Sequence, residues 1–260
     1  MGERTGDNRL SEHMLTISII TPSFNNAATI LQTVESVATQ TVVPLEHLIM
    51  DGQSTDGTEQ VLQNTAAIYI SAPDEGMYDA MNKGIQRARG EVIGILNADD
   101  FYASDTVLEK VLQLFETTGC DAVYGDLVYV HKDNVAKVQR YWVAGHYRQG
   151  AFLQGWMPPH PTFFVRRKVY EQYGLFNLNL GTAADYELML RLIHKHGIRL
   201  AYLPQTLVYM RAGGASNQTL LARFKANRKD AMAWKVNGLQ PKWYTLYAKP
   251  LRKLNQFWKG

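Results

Sequence analysis

Val92-Ile93-Gly94-Ile95-Leu96-Asn97-Ala98-Asp99-Asp100 is an apolar run that closes on two carboxylates. Five residues without polar alternation predict a strand buried on both faces, as in a parallel sheet covered by helices. Asp99 and Asp100 then stand at its carboxyl end, where open α/β sheets bind ligands. Paired carboxylates are hard oxygen donors suited to Mg²⁺ or Mn²⁺, ions that keep waters and take phosphate oxygens as further ligands. A second acidic cluster, Ala184-Asp185-Tyr186-Glu187, opens a helical pattern with Ala184, Leu188 and Leu192 on one face. It offers a lone carboxylate at a helix start, a setting for a general base.

Upstream of the first cluster the chain alternates apolar runs with amphipathic stretches. Leu15–Thr21 reads as a strand, and Ile30, Leu31, Val34, Val37 and Ala38 mark a helix face. Leu45–Asp51 is a second strand. Asp56 with Glu59 three residues on has capping-box spacing, and Ile68–Ser71 is a short strand. Met77, Ala80, Met81, Gly84, Ile85 and Ala88 define a further helix, expected to end at Gly90. Ser104 is expected to cap a helix through Val107, Leu108, Val111, Leu112 and Phe115 that closes at Gly119. Four successive βα units predict a parallel sheet with helices on both faces.

After Asp121 short β-like runs (122–124, 127–130, 162–165, 200–203 and 207–210) mix with helices over 166–173 and 184–196, so the sheet is expected to become mixed. The expected organisation is a polar, flexible 1–14, one α/β domain over 15–216 in two halves, 15–125 and 126–216, and a basic helical tail over 217–260.

Composition narrows the function classes. The chain has 260 residues, 46% of them hydrophobic, enough for a core. A single cysteine, Cys120, excludes an internal disulfide framework and fits a reducing compartment. No apolar run is long enough to span a bilayer, and Met1–Met14 lacks the apolar core of a secretory signal. A cytoplasmic location is the expectation. The net charge of +3 hides an asymmetry: residues 223–260 carry ten Lys/Arg against one acid, whereas the remainder carries 17 against 23. Seven aromatics share that basic tail. Such a mixture suits an anionic membrane interface, or else a helix pair packing its rings on the domain; nucleic acid is the third and least expected partner.

Several stretches together resemble one family. Ser18–Ile30 (SIITPSFNNAATI), Gln40-Thr41, Ile49–Thr58 (IMDGQSTDGT), Asp74–Gly84 (DEGMYDAMNKG), Gly90–Tyr102 (GEVIGILNADDFY), His160–Arg166 (HPTFFVR) and Ala184–Arg191 (ADYELMLR) occur in the order found in inverting family 2 glycosyltransferases of the GT-A fold. The resemblance runs from about residue 16 to 216. It implies a metal-dependent transfer of a sugar from a nucleotide diphosphate, a UDP-sugar by preference, to a hydroxyl acceptor such as a lipid-linked glycan in surface polysaccharide assembly. The other class consistent with it is an inactive, nucleotide-sugar-binding scaffold.

The resemblance assigns Thr21, Pro22, Ser23, Phe24, Asn25, Asp51, Asn82, Asn97, Ala98 and Asp99 to the donor nucleotide, with Asp51 accepting from a pyrimidine N–H. It assigns Mn²⁺ or Mg²⁺ to Asp99 and Asp100, leaving open which binds directly, and the base to Asp185. Asn97 stands where the family often has Asp, which removes a charge and keeps an acceptor. His160, within Pro158-Pro159-His160-Pro161, either touches acceptor or diphosphate or is structural. Arg211, at the start of an Arg-Ala-Gly-Gly loop, either pairs with the diphosphate or simply precedes a turn. Neither composition nor resemblance indicates an oligomeric state.

Overall fold

The computed structural model describes residues 14–213 and 220–248. Its elements, in order, are β1 (Ile17–Ser23), α1 (Ile30–Ala38), β2 (Glu46–Asp51), α2 (Thr58–Leu62), β3 (Ile68–Ser71), α3 (Met77–Arg87), β4 (Val92–Ile95), β5 (Phe101–Tyr102), α4 (Val107–Thr118), β6 (Ala122–His131), β7 (Asn134–Trp142), β8 (Phe164–Arg166), α5 (Arg167–Tyr173), α6 (Ala184–Met189), β9 (Leu200–Ala212) and α7 (Leu220–Val236). The strands form one sheet in the order β3-β2-β1-β4-β8-β6-β9-β5, and β7 also pairs with β6. β1, β2, β3 and β4 are parallel, as expected from the βα units. β8 then enters antiparallel between β4 and β6.

Side-chain alternation sorts the core. On β1, Ile20 faces the cluster formed with Met81, Ile85 and α6, while Ile17 and Ile19 face the cluster under α4 with Val111 and Phe115. α3 buries Ala80, Met81, Gly84 and Ile85. Gly84 is required there, because a Cβ would stand 2.5 Å from Ile20 Cγ2. Met77, expected on the same stripe, is 48% exposed.

Several expected boundaries shift. The N-cap of α2 is Gly57, and Asp56 instead accepts from Thr58 N at 3.1 Å and Ala27 N at 2.9 Å. α3 ends at Arg87, not at Gly90. Gly90 is small for a different reason: its Cβ would meet Ser18 N at 2.5 Å. α4 starts after Thr106 rather than Ser104, and Gly119 closes it with φ +61° as expected. The runs 122–130 and 200–210 are each one strand, paired in parallel with a bulge at Gly125/Asp126. β7 escapes a periodicity reading because it is exposed on nearly its whole length. The helix expected over 184–196 is α6 followed by a wider π-helical turn, Leu190–Lys195.

The tail is no separate unit. Ala233 and Trp234 are fully buried against the domain, and Thr245 Oγ1 donates to Leu153 O at 2.8 Å. Of the expected tail, 217–219 and 249–260 lie outside the described residues.

Inside β2, His47 is 7% exposed with Nε2 at 2.9 Å from Thr21 Oγ1, and burial pushes its pKa down to about 3. The unfolded chain protonates this group near pH 6.5. Its contribution to stability is therefore complete above that pH and is lost as pH falls toward 3. Between pH 6.5 and 5 the wild type should lose about 2 kcal/mol through His47. Urea unfolding of His47→Gln should be less pH-dependent by that amount; equal slopes in the two proteins would refute a buried neutral imidazole.

Candidate active site

Parallel register aligns Ser23 with Asp51 and Ile20 with Ile95, so the segments after β1, β2 and β4 emerge on one rim. Asp51 is 2% exposed; its Oδ1 accepts from Ser54 Oγ at 2.5 Å and its Oδ2 from Ser54 N at 2.8 Å and Ser71 Oγ at 3.2 Å. Tyr69 also bonds this carboxylate, and its hydroxyl pKa is raised first by burial and then by that bond. Asn25 adopts the left-handed region at φ 54°. Its N donates to Ser54 Oγ at 2.7 Å and its Oδ1 accepts from Thr55 N at 2.9 Å. The two loops are thus locked together, with Phe24 left 62% exposed at the rim.

These contacts sort the residues assigned to the donor. Thr21 and Pro22 are buried, and the Thr21 hydroxyl is taken by His47, so neither reaches the rim. The Asn25 amide is occupied within the turn. Ser23 Oγ is buried with no partner. Asn82 has an internal partner: its Nδ2 donates to Phe176 O at 3.0 Å and its Oδ1 accepts from Phe176 N at 2.9 Å. Its place is a clamp between α3 and the segment leading to α6.

The turn after β4 is held from behind. Thr29 Oγ1 donates to Ala98 O at 3.0 Å and Thr33 Oγ1 to Asp100 O at 2.7 Å. Asn97 Nδ2 donates to Asp100 Oδ2 at 2.9 Å, while Asn97 Oδ1 and Asp100 Oδ1 are buried without partners. Burial raises the Asp99 pKa, opposed by the Arg211 charge. Asp100 is fully buried, and burial, with Asp99 next to it, raises its pKa well above the usual range. Two orphaned oxygens and two adjacent carboxylates are a donor set that fits a hard divalent cation. Among the described residues no group of three or more His, Cys, Asp or Glu accompanies them. The remaining coordination positions would fall to water and phosphate.

Arg211 is not in a loop. It lies on β9, is 9% exposed, donates to Asp99 O and Gln32 Oε1, and covers the Phe101 ring at 5.3 Å. The strand placement corrects the expectation that Arg211 starts a loop. The loop after Gly213 lies outside the described residues.

Asp185 occupies the first turn of α6, with Oδ1 accepting from Tyr186 N at 2.7 Å. The Tyr78 hydroxyl has its pKa raised by burial and then by the Asp185 charge. His160 has its pKa lowered by burial, opposed by Asp185. Both rings pack on Phe176, at 5.3 and 5.5 Å between centroids. On β6, Tyr129 is raised first by burial, and both Asp100 and Asp185 also act on its hydroxyl. The charges of both acidic clusters thus reach Tyr129, where they are opposed by Arg140, whose guanidinium carbon stands 3.9 Å from the ring centroid. Tyr78, Tyr129, Arg140 and Phe176 carry no local motif that would single them out as site residues; only their meeting across the sheet shows it.

The profile of glycosyl transferase family 2 matches residues 18–174. The chain belongs to that family. A PGL/p-HBAD biosynthesis glycosyltransferase of Mycobacterium bovis is 30% identical over 208 residues, covering 77% of this chain and 78% of the relative. Staphylococcus aureus TarS 1–349 in complex with UDP superposes with a TM-score of 0.61 at 18% identity, covering 84% of this chain and 65% of that one. A mannosyltransferase from Pyrobaculum calidifontis in complex with GDP-Man and Mn²⁺ gives 0.64 at 18% identity, covering 92% and 70%. At such identities the likeness establishes the GT-A fold, and the expectation of that fold holds.

Proposed function

We propose that this family 2 glycosyltransferase moves a sugar from a UDP-sugar to a hydroxyl acceptor with inversion. The observation that carries the proposal is the Asp99–Asp100 turn at the rim of the parallel strands, where buried Asn97 Oδ1 and Asp100 Oδ1 lack partners, with a lone Asp185 whose charge reaches Tyr129 as that of Asp100 does. At the donor end, exposed Phe24 offers a face for a flat base, and the Asp51 carboxylate an acceptor for a pyrimidine N–H. The unpartnered Ser23 Oγ and Asn97 Oδ1 offer ribose contacts. Asp99, the less buried of the acidic pair, would hold Mn²⁺ or Mg²⁺ directly, with the orphaned oxygen of Asp100 behind it. When bound, the ion supplies Lewis-acid neutralisation of the leaving diphosphate.

At the other end Asp185 takes the acceptor proton as the hydroxyl oxygen attacks the anomeric carbon. Tyr78 and Phe176 shape the acceptor wall. Buried His160 is a neutral imidazole there, a hydrogen-bond partner rather than a cation. One base and no nucleophile imply single displacement. The inferred acceptor is a glycan on a membrane lipid at the cytoplasmic face. Supporting that address, Trp243 is 86% and Tyr247 65% exposed, beside exposed Lys235 and Lys242. No described helix is long and apolar enough to cross a membrane.

Three outcomes test this reading. Calorimetry should show UDP binding only with Mn²⁺ or Mg²⁺ and sharply weakened in Asp99→Asn; equal binding with EDTA would remove the metal assignment. Asp185→Asn should lower transfer by roughly 10²–10⁴-fold with UDP affinity kept within a few fold, and an α-linked donor should give a β-linked product by NMR. Normal turnover of the variant or an α-linked product would overturn the base and the inversion. In co-sedimentation, wild type should pellet with anionic vesicles at low salt and be released at high salt, whereas Trp243→Ser/Tyr247→Ser should stay in solution. Equal partition of the two proteins would confine those rings to packing or solvent.

A further inference from the structure

The turn that presents Asp185 is poorly supported by its own helix. α6 has six residues, preceded by a one-turn segment kinked at Gly181 (φ 50°, ψ −122°) and followed by the π-helical turn. Its rigidity comes from α7, which lies beyond the residues matched by the family profile. Lys229 Nζ fills the space that a Cβ at Gly181 would need. Past the base, Trp234 Nε1 donates to Tyr186 Oη at 2.9 Å, and Trp234 is 1% exposed. Asn237 Nδ2 donates to Glu187 Oε1 at 3.0 Å and to Ala233 O at 2.9 Å. α7 therefore grips the chain on both sides of Asp185.

The grip extends to the acceptor wall. Glu187, 2% exposed, also takes both guanidinium bonds of Arg191, at 2.8 and 3.2 Å. Arg191 in turn donates to the carbonyls of Tyr173, Gly174 and Leu175, just before Phe176. Asn82 fixes Phe176 from α3, and the Phe176 ring carries Tyr78 and His160. A buried ion pair holds its geometry only while its remaining polar sites are satisfied, and Asn237 satisfies one of them from the tail.

We infer that Trp234 and Asn237 are positioning residues for the general base: by fixing Tyr186 and Glu187, the C-terminal helix sets the place of Asp185 and of the Phe176 wall. The inference rests on Asp185 as the base. It explains why the basic segment is built into the domain, and it separates the inward side of the tail from the exposed Trp243 and Tyr247.

Trp234→Phe keeps the apolar ring and loses the N–H donor, and Asn237→Leu keeps approximate shape and loses the amide. Both are made in the full chain and compared with Asp185→Asn in Mn²⁺-dependent release of UDP from UDP-GlcNAc and of GDP from GDP-Man. A misplacement of the base should lower kcat on the order of 10- to 100-fold, with donor KM and UDP–Mn²⁺ affinity within twofold of wild type. Amide hydrogen exchange should rise at residues 184–188 and not on β1, β2 or β4. Wild-type kcat per folded molecule in both variants, with Asp185→Asn inactive, overturns the inference and leaves the base in place. An active Asp185→Asn instead overturns the base itself. Where neither donor is turned over, hydrogen exchange decides: unchanged protection at 184–188 in both variants overturns the positioning role.

Discussion

Because β1 lies between β2 and β4 in parallel register, the segments that follow all three strands leave the sheet on the same edge. Backbone pairing alone makes the Ser23–Asn25 turn, the Asp51 carboxylate and the Asn97–Asp100 turn neighbours. The close approach of α3 and β4 to β1 depends on Gly84 and Gly90, which allow contacts that a Cβ would block. A ligand site at this rim follows from topology before any side chain is considered.

The rim is also where polar groups are left unpaired. Among the described residues, Ser23 Oγ, Asn97 Oδ1 and Asp100 Oδ1 are buried without a hydrogen-bond partner, together with Tyr102 Oη and Gln205 Nε2 elsewhere. Burying such atoms is unfavourable unless something bonds them. Asn97 Oδ1 and Asp100 Oδ1 lie on the one acidic turn, and that is the observation behind the cation site proposed above. Arg211 contributes by holding Asp99 through its carbonyl, which leaves the Asp99 carboxylate available.

The second half of the site arises differently. Asp185 is carried to the cleft by a short turn whose position depends on the Glu187–Arg191 pair, the Phe176 clamp and α7. The two acidic clusters thus have distinct mechanical bases, one a parallel sheet edge and the other a network of buried polar bonds to which helix α7 contributes.

The sequence by itself determined the four βα units, the covered parallel half-sheet and the acidic turn after β4, because burial on both strand faces and helical spacing leave local signatures. It also showed the family, through short stretches whose order survives divergence. The internal partners of the site candidates were not legible: Thr21 bonds His47, Asn82 bonds Phe176 and Arg211 bonds Asp99, and no local pattern announces a bond spanning 26 to 112 positions. β7 was invisible because an exposed strand has no apolar period. The tail's charge and aromatics were legible, but their division was not. Trp234 turns inward and Trp243 outward because only the folded domain offers a Tyr186 hydroxyl to one and water to the other. Tertiary structure alone decided which of the chemically suitable side chains remain free to act.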